Sequence, residues 1–127
     1  MTISQVSEKY NLTPDTIRYY EKIGLIPKVP RTKSGIRDFD ETSCGWIEFI
    51  KCMRSSGMPI EALIEYVSLF KEGSKTLGRR KVLLVEQKEK LEKKKEELNA
   101  TIKRLEYKIK IYDEIAEGKR KDFLDIP

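Results

Sequence analysis

A cluster of polar and aromatic side chains on one predicted helix is the strongest chemical signal in this sequence. The run from Thr13 to Lys22 is predicted to be helical, and at about 100° per residue its outer face carries Asp15, Arg18, Tyr19 and Lys22. An arginine binds phosphate or the edge of guanine, and a tyrosine hydroxyl binds phosphate. This face therefore predicts contact with DNA, although a solvated helix surface would share the same pattern.

A basic segment follows that helix directly. The turn residues Lys33-Ser34-Gly35 are flanked by Val29 and Ile36, which are predicted to lie in two short strands. A ribbon of two strands buries little by itself, so it must lean on the rest of the domain. Its cationic residues suit a DNA backbone: Lys28, Arg31, Lys33 and Arg37. The pattern predicts a basic wing beside the helix, and a plain surface hairpin is the alternative.

Two cysteines, Cys44 and Cys52, are the only thiols, and the sequence contains no histidine. The commonest general base and the commonest zinc ligand are therefore missing, and neither an enzyme nor a metal site is predicted. Cys52 lies at the edge of an apolar helical stripe, where its neighbours Lys51 and Arg54 favour the thiolate. A buried structural residue is the alternative, because free cysteine is usually buried. Cys44, near the start of the same helix, is the rival candidate for a reactive thiol.

Four short helices are predicted before residue 74. Thr2 and Thr13 are expected to cap the first two, which a tight turn joins into a helix-turn-helix. Asp40 caps a third helix, and Pro59 begins a fourth. The segment Glu72-Gly73-Ser74 is expected to act as a hinge. The apolar positions of the third helix are expected in the core: Trp46, Phe49, Ile50 and Met53.

The remaining sequence carries an apolar residue every seven positions, which is the repeat of a coiled coil. The second row of this repeat is apolar in the later half, at Ile102, Ile109 and Ala116, and holds lysines in the earlier half. One helix cannot bury such a stripe alone, so the predicted partner is a second copy of the protein, in a homodimer. The first row, which is the predicted dimerisation surface, consists of Leu77, Leu84, Leu91, Leu98, Leu105 and Tyr112.

Length and composition agree with one small domain and an extension. The chain has 127 residues, 37% of them charged, and its net charge of +5 suits a polyanionic partner. No apolar run reaches the roughly 18 residues that a membrane span needs. The N-terminus lacks the positive start and apolar core of a secretory signal. A cytoplasmic location without membrane attachment is expected.

The motif TIRYYEKIGLIP, followed by RTKSGIRDFD and WIEFIKCMRSSGMPIEAL, strongly resembles the MerR family of transcriptional regulators. The resemblance covers nearly the whole chain and is closest to the AdhR- and NmlR-like branch of aldehyde- and thiol-stress regulators. It implies a mainly α fold, in which a winged helix-turn-helix with a small two-stranded wing occupies residues 1–40. A connector helix pair follows at 41–73, then a dimerisation helix in an antiparallel coiled coil at 74–117 and a short tail at 118–127.

The resemblance also implies a mechanism. Such regulators bind, as dimers, a palindrome in the spacer of a promoter, and they bend and undertwist the DNA so that RNA polymerase engages both promoter elements. The family often has tyrosine two residues after the wing arginine, where this chain has Phe39, so one hydroxyl contact with phosphate is missing. Tyr20 is implied as a contact although it faces the core on the helical wheel. The implied DNA contacts are Thr16, Arg18, Tyr19, Tyr20, Lys33, Gly35 and Arg37.

The signal that such a regulator would sense is also implied by resemblance. Metal-sensing relatives carry cysteines beyond the dimerisation helix, and this chain has none after Cys52, so neither a metal nor a cofactor is expected. Cys52 becomes the candidate sensor, modified by a reactive aldehyde or another electrophile. A non-covalent ligand is one alternative, and an interaction protein that uses the coiled coil as a scaffold is another. The residues named for the ligand site are Tyr66, Leu69, Phe70 and Tyr107.

Overall fold

The computed structural model describes residues 1–120, and this part of the chain is mainly helical. None of its helices is long and apolar enough to cross a membrane. The tail predicted at 118–127 lies outside the described residues from position 121 onward. The chain divides into one compact unit at Met1–Gln87 and a second that begins at Lys88. The elements are α1 (Ile3–Tyr10), α2 (Pro14–Lys22), α3 (Glu41–Ser55), α4 (Ile60–Lys71), a 3₁₀ turn (Ser74–Thr76) and α5 (Leu77–Ala116).

Side-chain caps fix where the first three helices begin, as predicted. The Thr2 hydroxyl accepts the Gln5 N–H at 3.2 Å, and the Gln5 side chain accepts the Thr2 N–H at 2.8 Å, which completes a capping box. Thr13 caps α2, and Asp40 caps α3 by accepting the Ser43 N–H at 2.8 Å. Asn11, with a left-handed φ of 52°, makes the tight turn between α1 and α2. These local signals produce the helix-turn-helix.

A single core joins the helix-turn-helix to the helices that follow it. Val6 and Ile17 meet the buried side chains Leu25, Phe39 and Ile47 in one cluster, which also includes Leu63 from α4. The prediction for α3 is partly wrong, because Ile47 and Ile50 occupy the centre of the core. The three other positions expected there are only half-buried, at its edge: Trp46, Phe49 and Met53. The aromatic rings therefore form a rim of α3, where one side stays open.

The basic loop, residues 27–38, does not contain the two predicted strands; within residues 1–120 the only β pairing here is one antiparallel bridge between Arg31 and Arg37. The turn inside it is closed by hydrogen bonds from the Thr32 N–H to the Ile36 carbonyl and from the Gly35 N–H to the Thr32 carbonyl. Val29 is buried, whereas Ile36 is 62% exposed. With one apolar anchor and a proline at position 30 that cannot donate, the loop cannot extend its ladder.

The segment expected to act as a hinge is held by a network of hydrogen bonds. The hydroxyl of Thr76, which is fully buried, lies 2.6 Å from the Leu69 carbonyl oxygen and 2.9 Å from that of Gly73. The Arg80 guanidinium donates to the Thr76 hydroxyl at 3.0 Å and to the Gly73 carbonyl at 3.0 Å. Gly73 itself has a φ of 88°, which favours glycine. We call this network the Thr76 clasp; it fixes the turn between α4 and α5.

We expect Thr76→Val to lower the free energy of unfolding by about 1–3 kcal/mol, because the Leu69 carbonyl would keep only the Glu72 N–H as a donor and the Arg80 Nε–H would lose its acceptor. Urea unfolding at matched protein concentration measures the change. Thr101→Val is the matched control, since the Thr101 hydroxyl is exposed and donates only to the Glu97 carbonyl within α5. Its effect should stay within about 0.5 kcal/mol. Equal effects of the two substitutions would contradict a clasp at Thr76.

Candidate DNA interface and candidate sensor

The outer face of α2 is arranged as the sequence predicted. Ile17 is buried in the core, while Arg18 and Tyr19 project into solvent. The Arg18 guanidinium donates to the Asp15 carboxylate at 2.8 Å, an exposed pair one turn apart that contributes little to stability. Thr16 is half-buried near the start of α2, and Tyr20 is half-buried against the core. The face thus offers one arginine and one tyrosine hydroxyl directly, with Thr16 beside the helix N-terminus.

The tip of the basic loop is open to solvent. Lys33 and Gly35 are exposed, and Gly35 adopts a φ of 87° that completes the turn. The Arg31 guanidinium donates to the Gly35 carbonyl at 2.8 Å and so holds the tip of the loop in place. A groove of about 340 Å³ lies between this loop and α2. Its lining is mostly cationic and consists of Arg18, Glu21, Lys22, Lys28, Val29, Arg31 and Arg37.

Glu21, on the last turn of α2, ties the helix to the basic loop. One carboxylate oxygen accepts the Val29 N–H at 2.6 Å, and the other accepts the Arg37 Nε–H at 2.7 Å. The Arg31 guanidinium lies 4.0 Å from the second oxygen. The Glu21 side chain is only 11% exposed, so these partners compensate a carboxylate that is largely withdrawn from water. We call this arrangement the Glu21 junction.

The charges of the Glu21 junction favour the ionised carboxylate. Burial raises the pKa of Glu21, but the Val29 and Arg37 hydrogen bonds and the Arg37 and Arg31 charges outweigh burial, and the pKa stays below its ordinary value of 4.5. Sequence reasoning missed this residue. A carboxylate inside a cationic segment is the one available signal, but its pairing with Arg37 depends on how the loop folds back. Arg37 therefore has a structural partner, and its contact with DNA stays a prediction.

The two cysteines differ in access. Cys52 is exposed, whereas Cys44 is buried, with its Sγ 3.9 Å from the Met1 Sδ. The cations expected to favour a Cys52 thiolate are held elsewhere: Lys51 donates to the Tyr10 carbonyl, and Arg54 donates to the Met58 carbonyl at 2.8 Å. Access, rather than a neighbouring charge, thus distinguishes Cys52. Residues 1–120 contain no cluster of three or more histidine, cysteine or acidic side chains able to hold a metal ion.

An aromatic groove of about 300 Å³ opens on the edge of α3 and α4. Trp46, Phe49 and Tyr66 line it, and the Phe70 ring lies 4.9 Å from the Trp46 ring, centroid to centroid. Of the residues named for a non-covalent ligand, Tyr66 lines this groove and Phe70 adjoins it. Leu69 is buried, and Tyr107 is an exposed residue of the second unit.

The predicted dimerisation surface on α5 is open in the single chain. Most of the leucine row is exposed, to 63% at Leu98 and 60% at Tyr112, while Leu91 is half-buried. Ile102 and Ile109 of the second row are exposed as well. Leu83 and Gln87, one turn apart on another face of α5, are buried. An apolar stripe of this length in water needs a partner.

Residues 1–69 of this chain match the family described as MerR HTH family regulatory protein. This chain belongs to the MerR family. The HTH-type transcriptional regulator AdhR of Bacillus subtilis is 55% identical over 91 residues, which cover 72% of this chain and 65% of that protein. The family is one of transcriptional regulators and not of enzymes, as the sequence predicted.

Solved structures of MerR family regulators share the fold of this one. A regulator from Listeria monocytogenes has a TM-score of 0.87 at 44% identity, covering 89% of this chain and 86% of that one. HiNmlR, described as a MerR family regulator lacking the sensor domain and bound to promoter DNA, has a TM-score of 0.82 at 27% identity, covering 91% and 92%. The resemblance to the AdhR- and NmlR-like branch is thereby confirmed.

In this MerR family regulator, we expect Glu21→Gln to destabilise the fold at pH 7 by about 1–3 kcal/mol, because the charged acceptor is lost. The folded-state pKa lies below the unfolded one, so the stabilisation is present above pH 4.5 and disappears as the pH falls through the folded pKa. Urea unfolding of both proteins between pH 7 and low pH should therefore show a difference that shrinks on acidification.

Asp15→Asn is the control for the Glu21 substitution. It also neutralises a carboxylate on α2, but in the exposed Asp15–Arg18 pair, so about 0.5 kcal/mol or less is expected. A Glu21→Gln effect that is the same at every pH would show that shape, and not charge, matters at the junction.

Proposed function

We propose that this MerR family regulator binds a palindromic promoter spacer as a dimer and activates transcription by bending and undertwisting the DNA. The observation that carries the proposal is the cationic groove between α2 and the basic loop, on a chain whose apolar α5 stripe is largely exposed in the single copy. The promoter-bound relative HiNmlR, similar over most of both chains, supports the same use of the fold.

In each copy, the surface formed by α2 and the basic loop contacts both bases and phosphates. α2 enters the major groove with Arg18 and Tyr19 toward the bases and backbone, and Thr16 binds phosphate near the helix N-terminus. Lys33 and the Gly35 backbone, at the loop tip, meet the neighbouring phosphates. Arg37 and Tyr20 are half-buried, so their contacts with the backbone are made from the edge of the interface.

The two copies join through α5 in an antiparallel coiled coil. A parallel dimer in register would place Lys81, Lys88 and Lys95 opposite their own copies along the seam, which like charges disfavour. Reversing one helix sets these lysines against the apolar end of the other. The dimer then holds the DNA-binding surfaces of its two copies at a fixed separation, as a palindrome requires.

The regulatory step is a deformation of DNA. Bending a site of promoter-spacer length costs about 1–6 kcal/mol in elastic energy, which the dimer's phosphate contacts offset. A bent and undertwisted spacer brings both promoter elements within reach of RNA polymerase. Control therefore depends on which dimer conformation the signal stabilises.

We expect Lys33→Ala to weaken binding to any DNA sequence and to reduce the slope of log affinity against log salt by about 1, since one phosphate contact is lost. Arg18→Ala should cost about 1–3 kcal/mol on the operator and relax base preference. Fluorescence anisotropy with operator and scrambled duplexes across a salt series measures both. Lys93→Ala, which removes the same charge from the exposed surface of α5, should change neither quantity. Binding without preference for a promoter palindrome would favour the scaffold alternative.

Cys52 is proposed as the sensor because it is the accessible thiol in a chain related to AdhR. Its sulfur adds to the carbonyl carbon of an aldehyde, and the thiol proton moves to the oxygen, giving a hemithioacetal without any oxidant. The adduct enlarges and polarises the exposed surface of α3 at Cys52. The buried Cys44 lacks such access and is the natural comparison.

We expect intact-protein mass spectrometry to show a gain equal to the mass of one added aldehyde, located at Cys52 by peptide mapping. Cys52→Ser should abolish both this adduct and aldehyde-induced transcription in a reporter assay, while operator affinity in the absence of aldehyde stays unchanged. Cys44→Ser is the matched control and should retain the adduct and induction. Full induction of Cys52→Ser would overturn covalent sensing and favour a non-covalent ligand in the aromatic groove.

A further inference from the structure

The stripe on α5 consists of two rows four residues apart, which are the two seam positions of a heptad repeat. The leucine row is apolar throughout, whereas the second row changes from lysine to isoleucine along the helix. The two ends of α5 are therefore chemically different. The alignment of two copies decides which side chains face each other in every layer of the seam. The second row consists of Lys81, Lys88, Lys95, Ile102, Ile109 and Ala116.

We propose one specific register for this dimer: Leu84 faces Ile109 of the partner subunit, and Leu91 faces the partner's Ile102. This proposal rests on the antiparallel dimer of the proposed function and adds the alignment of the two helices. Each of these layers occurs twice by the two-fold symmetry. All four side chains are half-buried or exposed in the single chain, so each layer removes two apolar side chains from water.

The same alignment overlaps the two helices over their whole length. Leu77, the first residue of α5, faces Ala116 of the partner subunit, the last residue of its α5. In alternate layers, a leucine or tyrosine of one copy faces a seam lysine of the other, whose aliphatic stem packs along the seam. These mixed layers pair Leu98, Leu105 and Tyr112 with Lys95, Lys88 and Lys81 of the partner subunit.

Two of the three seam lysines, Lys88 and Lys81, find acidic partners in this register. Lys88 faces the partner's Leu105, and the next residue of that helix is the partner's Glu106. In the same way, Lys81 faces the partner's Tyr112, which precedes the partner's Asp113. Lys88 forms an exposed pair with Glu92 of its own helix at 3.5 Å, an interaction weak enough to be exchanged. Opposite charges beside the seam are the usual device by which coiled coils select their partners.

The residues that flank the seam distinguish this register from its neighbours. Here Glu92 lies beside the partner's Asn99, and Lys94 lies beside the partner subunit's Thr101, so neither meets a like charge. A slide of one heptad in one direction places Glu92 beside the partner's Glu92 and Lys94 beside the partner's Lys94. A slide in the other direction places Glu92 beside the partner's Glu106 and Lys94 beside the partner's Lys108. Both slides create like-charge pairs, which destabilise a coiled coil.

Disulfide cross-linking tests the register in full-length protein that carries Cys44→Ala and Cys52→Ser. The variant Leu91→Cys/Ile102→Cys should form covalent dimers under mild oxidation, because the two positions face each other between copies. Within one helix they lie about 16 Å apart, beyond the limit of about 7 Å between Cα atoms, so an intramolecular disulfide cannot form.

Two matched variants report the neighbouring registers. Leu84→Cys/Ile102→Cys should cross-link only after a slide in one direction, and Leu91→Cys/Ile109→Cys only after a slide in the other. Each replaces one leucine and one isoleucine, so all three variants carry similar packing defects. Covalent dimer from either matched variant in excess of Leu91→Cys/Ile102→Cys would overturn the register.

A spin label at an exposed site gives a second measurement that leaves the seam intact. With Lys110→Cys as the labelled position, the proposed register separates the two labels by about 40 Å along the helices, at 1.5 Å per residue. The neighbouring registers give about 50 Å or about 30 Å. A parallel dimer gives only the helix spacing of about 10 Å plus the label linkers. Any of these three other distances would overturn the proposal.

Sedimentation and operator binding separate the two levels of failure. A dimer that binds the operator but gives the wrong cross-link or distance refutes the register and leaves the proposed function standing. A protein that sediments as a monomer at micromolar concentration and ignores operator DNA refutes the proposed function itself.

Discussion

The position of the basic loop against α2 depends on one carboxylate. Glu21 accepts the Val29 N–H and the Arg37 Nε–H, while Arg31 lies 4.0 Å away. Without it, two arginine side chains and an unpaired backbone donor would face each other at the end of α2, in a loop that has a single β bridge. A negative charge is thus placed inside a surface that is otherwise cationic, where it organises the groups that remain free to meet phosphate.

The dimerisation helix follows a different logic, because its apolar residues lie on the surface of the single chain. Most of the leucine row is exposed within the described residues of one copy, whereas Leu83 and Gln87 on another face are buried. In the proposed dimer, the helix divides its surface between its own copy and the second one. The lysines of the second row would weaken a parallel arrangement in register, and their position in one half of the helix would give the pairing a direction.

The features that follow from local chemistry could be predicted from sequence. Thr2, Thr13 and Asp40 cap their helices because a hydroxyl or carboxylate next to a free N–H needs nothing from the rest of the fold. Features that depend on approach in space could not. Pairing between Glu21 and Arg37 requires the loop to turn back, and the capture of Lys51 by the Tyr10 carbonyl requires α3 to reach the end of α1.

Mechanical stiffness at the corner between α4 and α5 follows from the Thr76 clasp. Because four hydrogen bonds hold this turn, we expect a rotation of the start of α5 to be transmitted to α4. One residue added or deleted between Lys71 and Leu77 would rotate the first turns of α5 by about 100° relative to α4.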